Sequence, residues 1–225
     1  GGNLMKNSKK LIMVLVSMLM LVTMIAGCGQ KIEPPELVAE AYYDLIVYGD
    51  TSKLETMGFA ADDVNTIKEQ RESQVKTTIK NTFSVSGLKI SDEQLNKVMQ
   101  AQLDAMKKVT CTVEPVSSDK ETAVVTLKTN YVSITEVDQK AAEDAIAEVQ
   151  AMNLTTQQEV LDKATELYIN KLIEALNNIQ PSTETVEKNV TLKLQVFDVS
   201  GKTKKMWSPE NPVTFGNDIG TMVTK

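Results

Sequence analysis

The sequence predicts an α+β domain, in which an antiparallel sheet of about four strands in two hairpins packs against several long helices. Apolar residues recur at helical spacing over five stretches, which are residues 36–48, 63–83, 91–108, 135–151 and 156–180. Apolar and polar residues alternate with the period of two that is typical of half-buried strands at residues 109–134 and 190–208. The order of these patterns is the basis of the prediction.

Several helix ends are marked by residue type. Gly49 suits the left-handed conformation that follows a last helical turn, and Gly58 closes a short helix predicted at 51–57. Ser91-Asp92-Glu93-Gln94 has the form of a capping box, which indicates a helix start. Asn153-Leu154-Thr155 interrupts the last two helical stretches, so we expect them to form an αα-hairpin.

The strand patterns predict two hairpins. The first joins residues 109–116 to residues 123–134. The second joins Val190–Val196 to Lys204–Ser208 through a turn at Ser200-Gly201-Lys202.

The stretch after the second hairpin is the candidate binding surface. Residues 208–215 are expected to form an edge strand or a loop, because Pro209 and Pro212 cannot donate ladder hydrogen bonds. An aromatic side chain beside a rigid loop is a common recognition surface, so Trp207, Pro209 and Asn211 are the candidate binding residues. The alternative is that Trp207 packs under the helices.

The N-terminus has the layout of an export signal. Three lysines among residues 6–10 precede the charge-free apolar stretch Leu11–Ile25, and the small residues Ala26-Gly27 lead to Cys28. This stretch would span about 22 Å as a helix, less than the ~30 Å core of a bilayer. A cleaved signal is therefore favoured over an uncleaved anchor, which stays the alternative together with an ordinary signal peptide.

The tetrapeptide Ile25-Ala26-Gly27-Cys28 is similar to the lipobox of bacterial lipoproteins. The resemblance implies diacylglyceryl transfer to the Cys28 thiol and cleavage before Cys28. We therefore expect a signal peptide at 1–27 (with residues 1–4 lying upstream of the start at Met5), a lipidated cysteine and tether at 28–35, and a single domain at 36–225. The protein would then be anchored to the cell membrane by lipid, on the extracellular face.

The order of elements behind this lipobox resembles that of small uncharacterised lipoproteins of Gram-positive bacteria. The extracellular domains of those proteins are cystatin-like or nuclear-transport-factor-two-like. The resemblance implies a sheet curled around helices, but it implies no activity, because function resides in sites and not in folds.

Composition excludes several classes of function. The chain has a net charge of −6, which argues against nucleic acid as a partner because that would require a basic face. It contains no histidine, so the commonest general base and zinc ligand are missing. After lipidation of Cys28, Cys111 has no intramolecular partner, and we expect it to be a small buried hydrophobe. No nucleotide-binding or protease motif is present, and we predict no catalytic residue, metal or cofactor.

Two hypotheses of function remain. The first is a non-catalytic binding or protein-interaction module, whose partner is an envelope protein, a peptide or a small ligand. The second is a carboxylate-dependent hydrolase acting on envelope glycans, which would need two carboxylates facing each other in a cleft. The missing catalytic motifs favour the first, and a solely structural role stays open.

Overall fold

The computed structural model describes residues 31–199 and 202–225, with side chains described for 31–196 and 204–225. Seven helices lie in these ranges: α1 (Pro35–Tyr48), α2 (Ser52–Thr56), α3 (Ala61–Val85), α4 (Asp92–Met106), α5 (Ile134–Ala151), α6 (Gln157–Asn178) and α7 (Pro212–Val223). The strands are β1 (Cys111–Ser118), β2 (Thr122–Thr129), β3 (Val186–Val199) and β4 (Lys202–Pro209). The predicted signal peptide, Cys28 and the predicted turn at Ser200-Gly201 lie outside the described residues.

The four strands form one open antiparallel sheet in the order β1-β2-β3-β4. The chain leaves the sheet after β2 to form the α5–α6 hairpin, and β3 then returns to pair with β2. Alternate residues of β2, namely Ala123, Val125 and Leu127, are buried, whereas Lys128 is exposed. The predicted α+β class is therefore confirmed.

Helix α1 lies at the centre of the core. It contacts β1, β2 and β4 on the sheet side and α7, α4 and α3 elsewhere. Its sequence is apolar on nearly every side, and a helix of this kind is stable only when it is covered all round. Gly49 ends the helix in the left-handed conformation (φ 66°), and its N–H donates to the carbonyl of Leu45, as predicted.

A buried arginine fastens α3 to the C-terminal end of α1. Arg71 Nε lies 2.5 Å from the carbonyl oxygen of Ile46, and Nη2 lies 3.0 Å from that of Val47. These are among the carbonyls that a helix leaves without intrahelical partners at its C-terminus, and a cation there is favoured by the helix dipole. Burial lowers the pKa of the Arg71 guanidinium to about 10, so the group stays charged at neutral pH.

Helices α3, α4, α5 and α6 pack on one another, with α6 between α4 and α5, and α3 and α4 also contact α1. The predicted capping box of α4 is present, since Ser91 Oγ accepts from the N–H of Gln94, and the Gln94 side chain accepts from the N–H of Ser91. A second capping box, between Thr156 and Glu159, begins α6. Both signals are local, which is why they act independently of the tertiary contacts.

The prediction for residues 208–215 is wrong beyond residue 211. These residues were expected to form an edge strand or loop, but β4 ends at Pro209 and α7 begins at Pro212. The Asn211 side chain accepts a hydrogen bond of 3.0 Å from the N–H of Thr214, which caps the helix. Proline at the first helical position has no N–H to leave unpaired. Asn211-Pro212 is therefore a helix start, and the interpretation of Pro212 as a strand breaker was mistaken.

Candidate functional site

A cleft with mixed polar and apolar walls lies between α1 and α2. We call it the α1–α2 cleft. Its volume is about 340 Å³, which is within the range of small-ligand sites. It is lined by Glu33, Leu37, Glu40, Ser52, Lys53, Thr56 and Met57.

The chain builds this cleft through a short, tightly bonded connection. Gly49 turns the backbone at the end of α1, and the carboxylate of Asp50 then accepts from the N–H and the hydroxyl of Ser52, at 2.9 and 2.6 Å. These hydrogen bonds lower the pKa of Asp50. They also fix the start of α2, which places Lys53 opposite the polar face of α1.

Lys53 is the electrostatic centre of the α1–α2 cleft. Its Nζ lies 2.6 Å from Asp44 Oδ2 and 3.1 Å from Glu40 Oε1. Burial alone would lower the pKa of Lys53, but its hydrogen bonds to the two carboxylates outweigh that effect and raise it. Burial raises the pKa of Asp44, and Lys53 opposes the rise. Both carboxylates therefore pair with the same lysine, whose single positive charge cannot balance two ionised carboxylates.

The walls of the α1–α2 cleft define what it can bind. Leu37 is 43 % exposed although it lies on an otherwise buried helix, and Met57 adds a second apolar wall. The carboxylates of Glu33 and Glu40 exceed the single positive charge of Lys53. This combination suits a ligand that carries both an apolar group and a cationic amine.

A second cavity, of about 20 Å³ and partly closed by the surrounding helices, lies between α3, α4, α5 and α6. Its polar wall contains Asp138, which accepts a hydrogen bond from the hydroxyl of Tyr168. Burial raises the pKa of Asp138 against the opposing effect of this hydrogen bond, and burial also raises the pKa of Tyr168. The cavity has room for a water molecule but not for a ligand of ordinary size.

A third, polar groove of about 250 Å³ separates the connection between α3 and α4 from the first turns of α6. It contains Lys89 on one side and Asp162 and Glu166 on the other. These side chains give the groove little apolar surface other than that of Leu161, so it is a weaker candidate for a small-ligand site.

The predicted binding residues are held in the fold as follows. Trp207 is 5 % exposed in the core and pairs with Leu194 across β3 and β4. Pro209 is buried opposite Leu192, and the exposed Asn211 caps α7. The structure thus gives each of the three a structural role, and ligand binding at them stays a prediction.

Sequence reasoning did not find the α1–α2 cleft. The available signal was the acidic pair Glu40 and Asp44, four residues apart in a stretch that is mainly apolar from Leu37 to Tyr48. Such a pair needs a partner when it is buried, but the pattern alone could not show that Lys53 supplies it.

Cys111 is half-buried and has no disulfide partner among the described residues. Burial raises the pKa of its thiol to about 12, so the thiolate is not formed at neutral pH. This matches the expected behaviour of a small hydrophobe and not that of a nucleophile.

Within residues 31–199 and 202–225, no group of three or more Cys, Asp or Glu side chains is placed to hold a metal ion. In the same ranges, no helix combines the length and the hydropathy that a membrane span requires.

The described residues form an α+β domain with an open four-stranded sheet and a central helix, α1, that is largely buried. The α1–α2 cleft lies beside this helix. A family model described as Domain of unknown function (DUF5105) matches residues 25–199. Because the match covers most of the chain, the protein belongs to this family. The matched region begins at Ile25, the first residue of the predicted lipobox, and so includes Cys28.

The fold is similar to a solved structure of the putative lipoprotein ycdA from Bacillus subtilis subsp. subtilis str. 168. The TM-score is 0.57 at 15 % sequence identity, and the likeness covers 85 % of this chain and 56 % of that chain. The present chain thus spans little more than half the length of ycdA, and at this identity the likeness shows a shared fold. No curated protein matches the sequence.

Proposed function

We propose that the protein is a lipoprotein anchored to the cell membrane through a lipid on Cys28, with its folded domain on the extracellular face. Two observations support this. The N-terminal sequence has its segments in the order that a lipoprotein signal requires, namely the three lysines of residues 6–10, the apolar stretch Leu11–Ile25 and the tetrapeptide that ends at Cys28. The fold is also similar to that of ycdA, a protein described as a putative lipoprotein. The division into signal peptide, tether and single domain, the cystatin-like fold and a Gram-positive origin stay predictions.

The role we propose for the domain is non-catalytic binding of an envelope protein, a peptide or a small ligand at the α1–α2 cleft. The observation that carries this proposal is the position of the cleft in the chain. Glu33, which lines it, follows Cys28 by only five residues, and five residues reach at most about 17 Å when fully extended. A ligand in the cleft would therefore be held close to the membrane.

The cleft favours one kind of ligand over others. The uncompensated carboxylate charge attracts a cationic amine, and the exposed side chain of Leu37 provides an apolar contact. A peptide segment with a basic and an apolar side chain supplies both groups. Glu40, one of the two carboxylates that line the cleft, is paired with Lys53, and no observation favours the glycan hydrolase over binding.

Site-specific photocrosslinking in living cells tests this function. A photoreactive residue replaces Leu37 in the cleft, and in a matched control it replaces Val213, which is 46 % exposed on α7. We expect a crosslinked product from position 37 that decreases when Glu40→Gln is added and that is absent from position 213. Equal products at both positions, or none at 37, would exclude the cleft as the binding site.

A further inference from the structure

The small cavity between α3, α4, α5 and α6 is lined by a buried polar group that has no hydrogen-bond partner among the described residues. Gln102 on α4 is 3 % exposed and lines this cavity. Its Nε2 atom is buried and has no hydrogen-bond partner among the described residues. A buried donor without an acceptor is strongly unfavourable, and such donors in native proteins usually bind an ordered water.

The cavity has the size and the chemistry of a hydration site. Its volume of about 20 Å³ exceeds the ~10–15 Å³ that one water needs. A buried water also needs two to four polar partners. Besides Gln102, the lining provides the hydroxyl of Thr135, the hydroxyl of Tyr168 and the carboxyl group of Asp138.

The acceptor on the far side of the cavity is the carboxyl group of Asp138 on α5. One of its oxygens, Oδ1, accepts from Tyr168 on α6, and a carboxylate has room for further donors. The remaining walls are apolar, being formed by Ile79, Phe83, Val98, Ile134, Leu172 and Leu176. Polar side chains from three helices therefore line a cavity whose other lining residues are apolar.

We infer that this cavity binds one ordered water, which accepts a hydrogen bond from Gln102 Nε2 and donates one to Asp138. The water joins α4 to α5 and, through the Asp138–Tyr168 hydrogen bond, to α6. Helix α5 packs chiefly on α6, so this water provides a further connection between α5 and the rest of the domain.

A high-resolution crystal structure of the full chain is the direct test. We expect a solvent peak within about 3.2 Å of both Gln102 Nε2 and an oxygen of Asp138. A cavity without a peak would overturn the inference, and so would a Gln102 amide that turns to donate to a protein atom.

Oxygen-17 magnetic relaxation dispersion, which counts long-lived internal waters, tests the same site in solution. Gln102→Leu removes the donor and is expected to lose the signal of one water. Gln100→Leu makes the same change on α4 at an exposed residue that donates to Asp104, and it should lose none. Equal signals from the two variants would overturn the inference, and if Gln102→Leu does not fold, the crystal structure of the unaltered chain decides.

Discussion

The ammonium group of Lys53 lies 2.6 Å from the carboxylate of Asp44 and so joins α2 to the central helix α1. The Asp44 side chain is only 10 % exposed, whereas that of Lys53 is 42 % exposed. The carboxylate of the ion pair is thus nearly buried, whereas its lysine is partly exposed to solvent. Lys53 also lines the α1–α2 cleft, and the pair provides the partner that a carboxylate in an apolar helix needs.

Replacing Lys53 by methionine should destabilise the protein by about 1–2 kcal/mol. The change leaves Asp44 without its partner, and the expected loss is moderate because solvent reaches the lysine end and screens the pair. Urea unfolding at neutral pH measures it. Lys97→Met is the control, because Lys97 forms an equally short pair with Glu93 that is exposed at both ends. Equal losses in the two variants would contradict the role given to Asp44.

Arg71→Leu should cost about 2–3 kcal/mol, since it removes two charge-assisted hydrogen bonds from the buried end of α1. Arg71→Lys keeps the positive charge but not the planar pair of donors, so it should lose less. Denaturant unfolding of the three proteins gives the order. A leucine variant as stable as the unaltered protein would show that these bonds contribute nothing.

Asp138→Asn should change how stability depends on pH. Burial raises the pKa of Asp138 in the folded state, so the folded protein binds a proton that the unfolded chain has already released. The resulting stabilisation is present below the unfolded-state pKa and is lost as pH rises through the folded-state pKa. The variant should therefore gain stability relative to the unaltered protein as pH increases from about 4.

Asp119→Asn should change the pH dependence of stability in the direction opposite to that of Asp138→Asn. Hydrogen bonds from the N–H groups of Glu121 and Thr122 lower the pKa of Asp119, so its contribution is present above the unfolded-state pKa and is lost in acid. This variant should lose stability relative to the unaltered protein as pH rises from strong acid to the unfolded-state pKa of about 4, and the difference should then stay constant. If the stability of both variants relative to the unaltered protein changed in the same direction with rising pH, the account would be contradicted.

Trp207→Ala and Asn211→Ala separate a core residue from a helix cap. The first should cost about 3–5 kcal/mol, because it leaves a large cavity in the core. The second should cost about 1 kcal/mol, the usual value of a lost N-cap. Calorimetric unfolding measures both. Unchanged stability in Trp207→Ala would contradict the burial of the tryptophan.

The elements that sequence reasoning predicted are those with local signals. Gly49, the Ser91 capping box and the alternation in β2 each depend on residues close together in the chain. Helix α7 also has such signals in Asn211-Pro212, but Pro212 suggests an edge strand or a loop as well, because proline is excluded from the middle of a sheet.

The concave sites could not be predicted in this way, because tertiary contacts create them. The α1–α2 cleft depends on Lys53 reaching back to Glu40 and Asp44. The cavity between α3, α4, α5 and α6 forms only when tertiary contacts bring Gln102, Asp138 and Tyr168 together from three different helices. No periodicity in the sequence encodes these distances.

The mass of the N-terminal peptide of the protein extracted from membranes is the most direct test of lipid anchoring at Cys28. We predict that the chain begins at Cys28 and that its thiol carries a diacylglyceryl group. In Cys28→Ser the modification and the stable membrane attachment should both be lost, whereas Cys111→Ser should retain them. A chain that keeps the residues before Cys28, or that begins there with an unmodified thiol, would contradict the account.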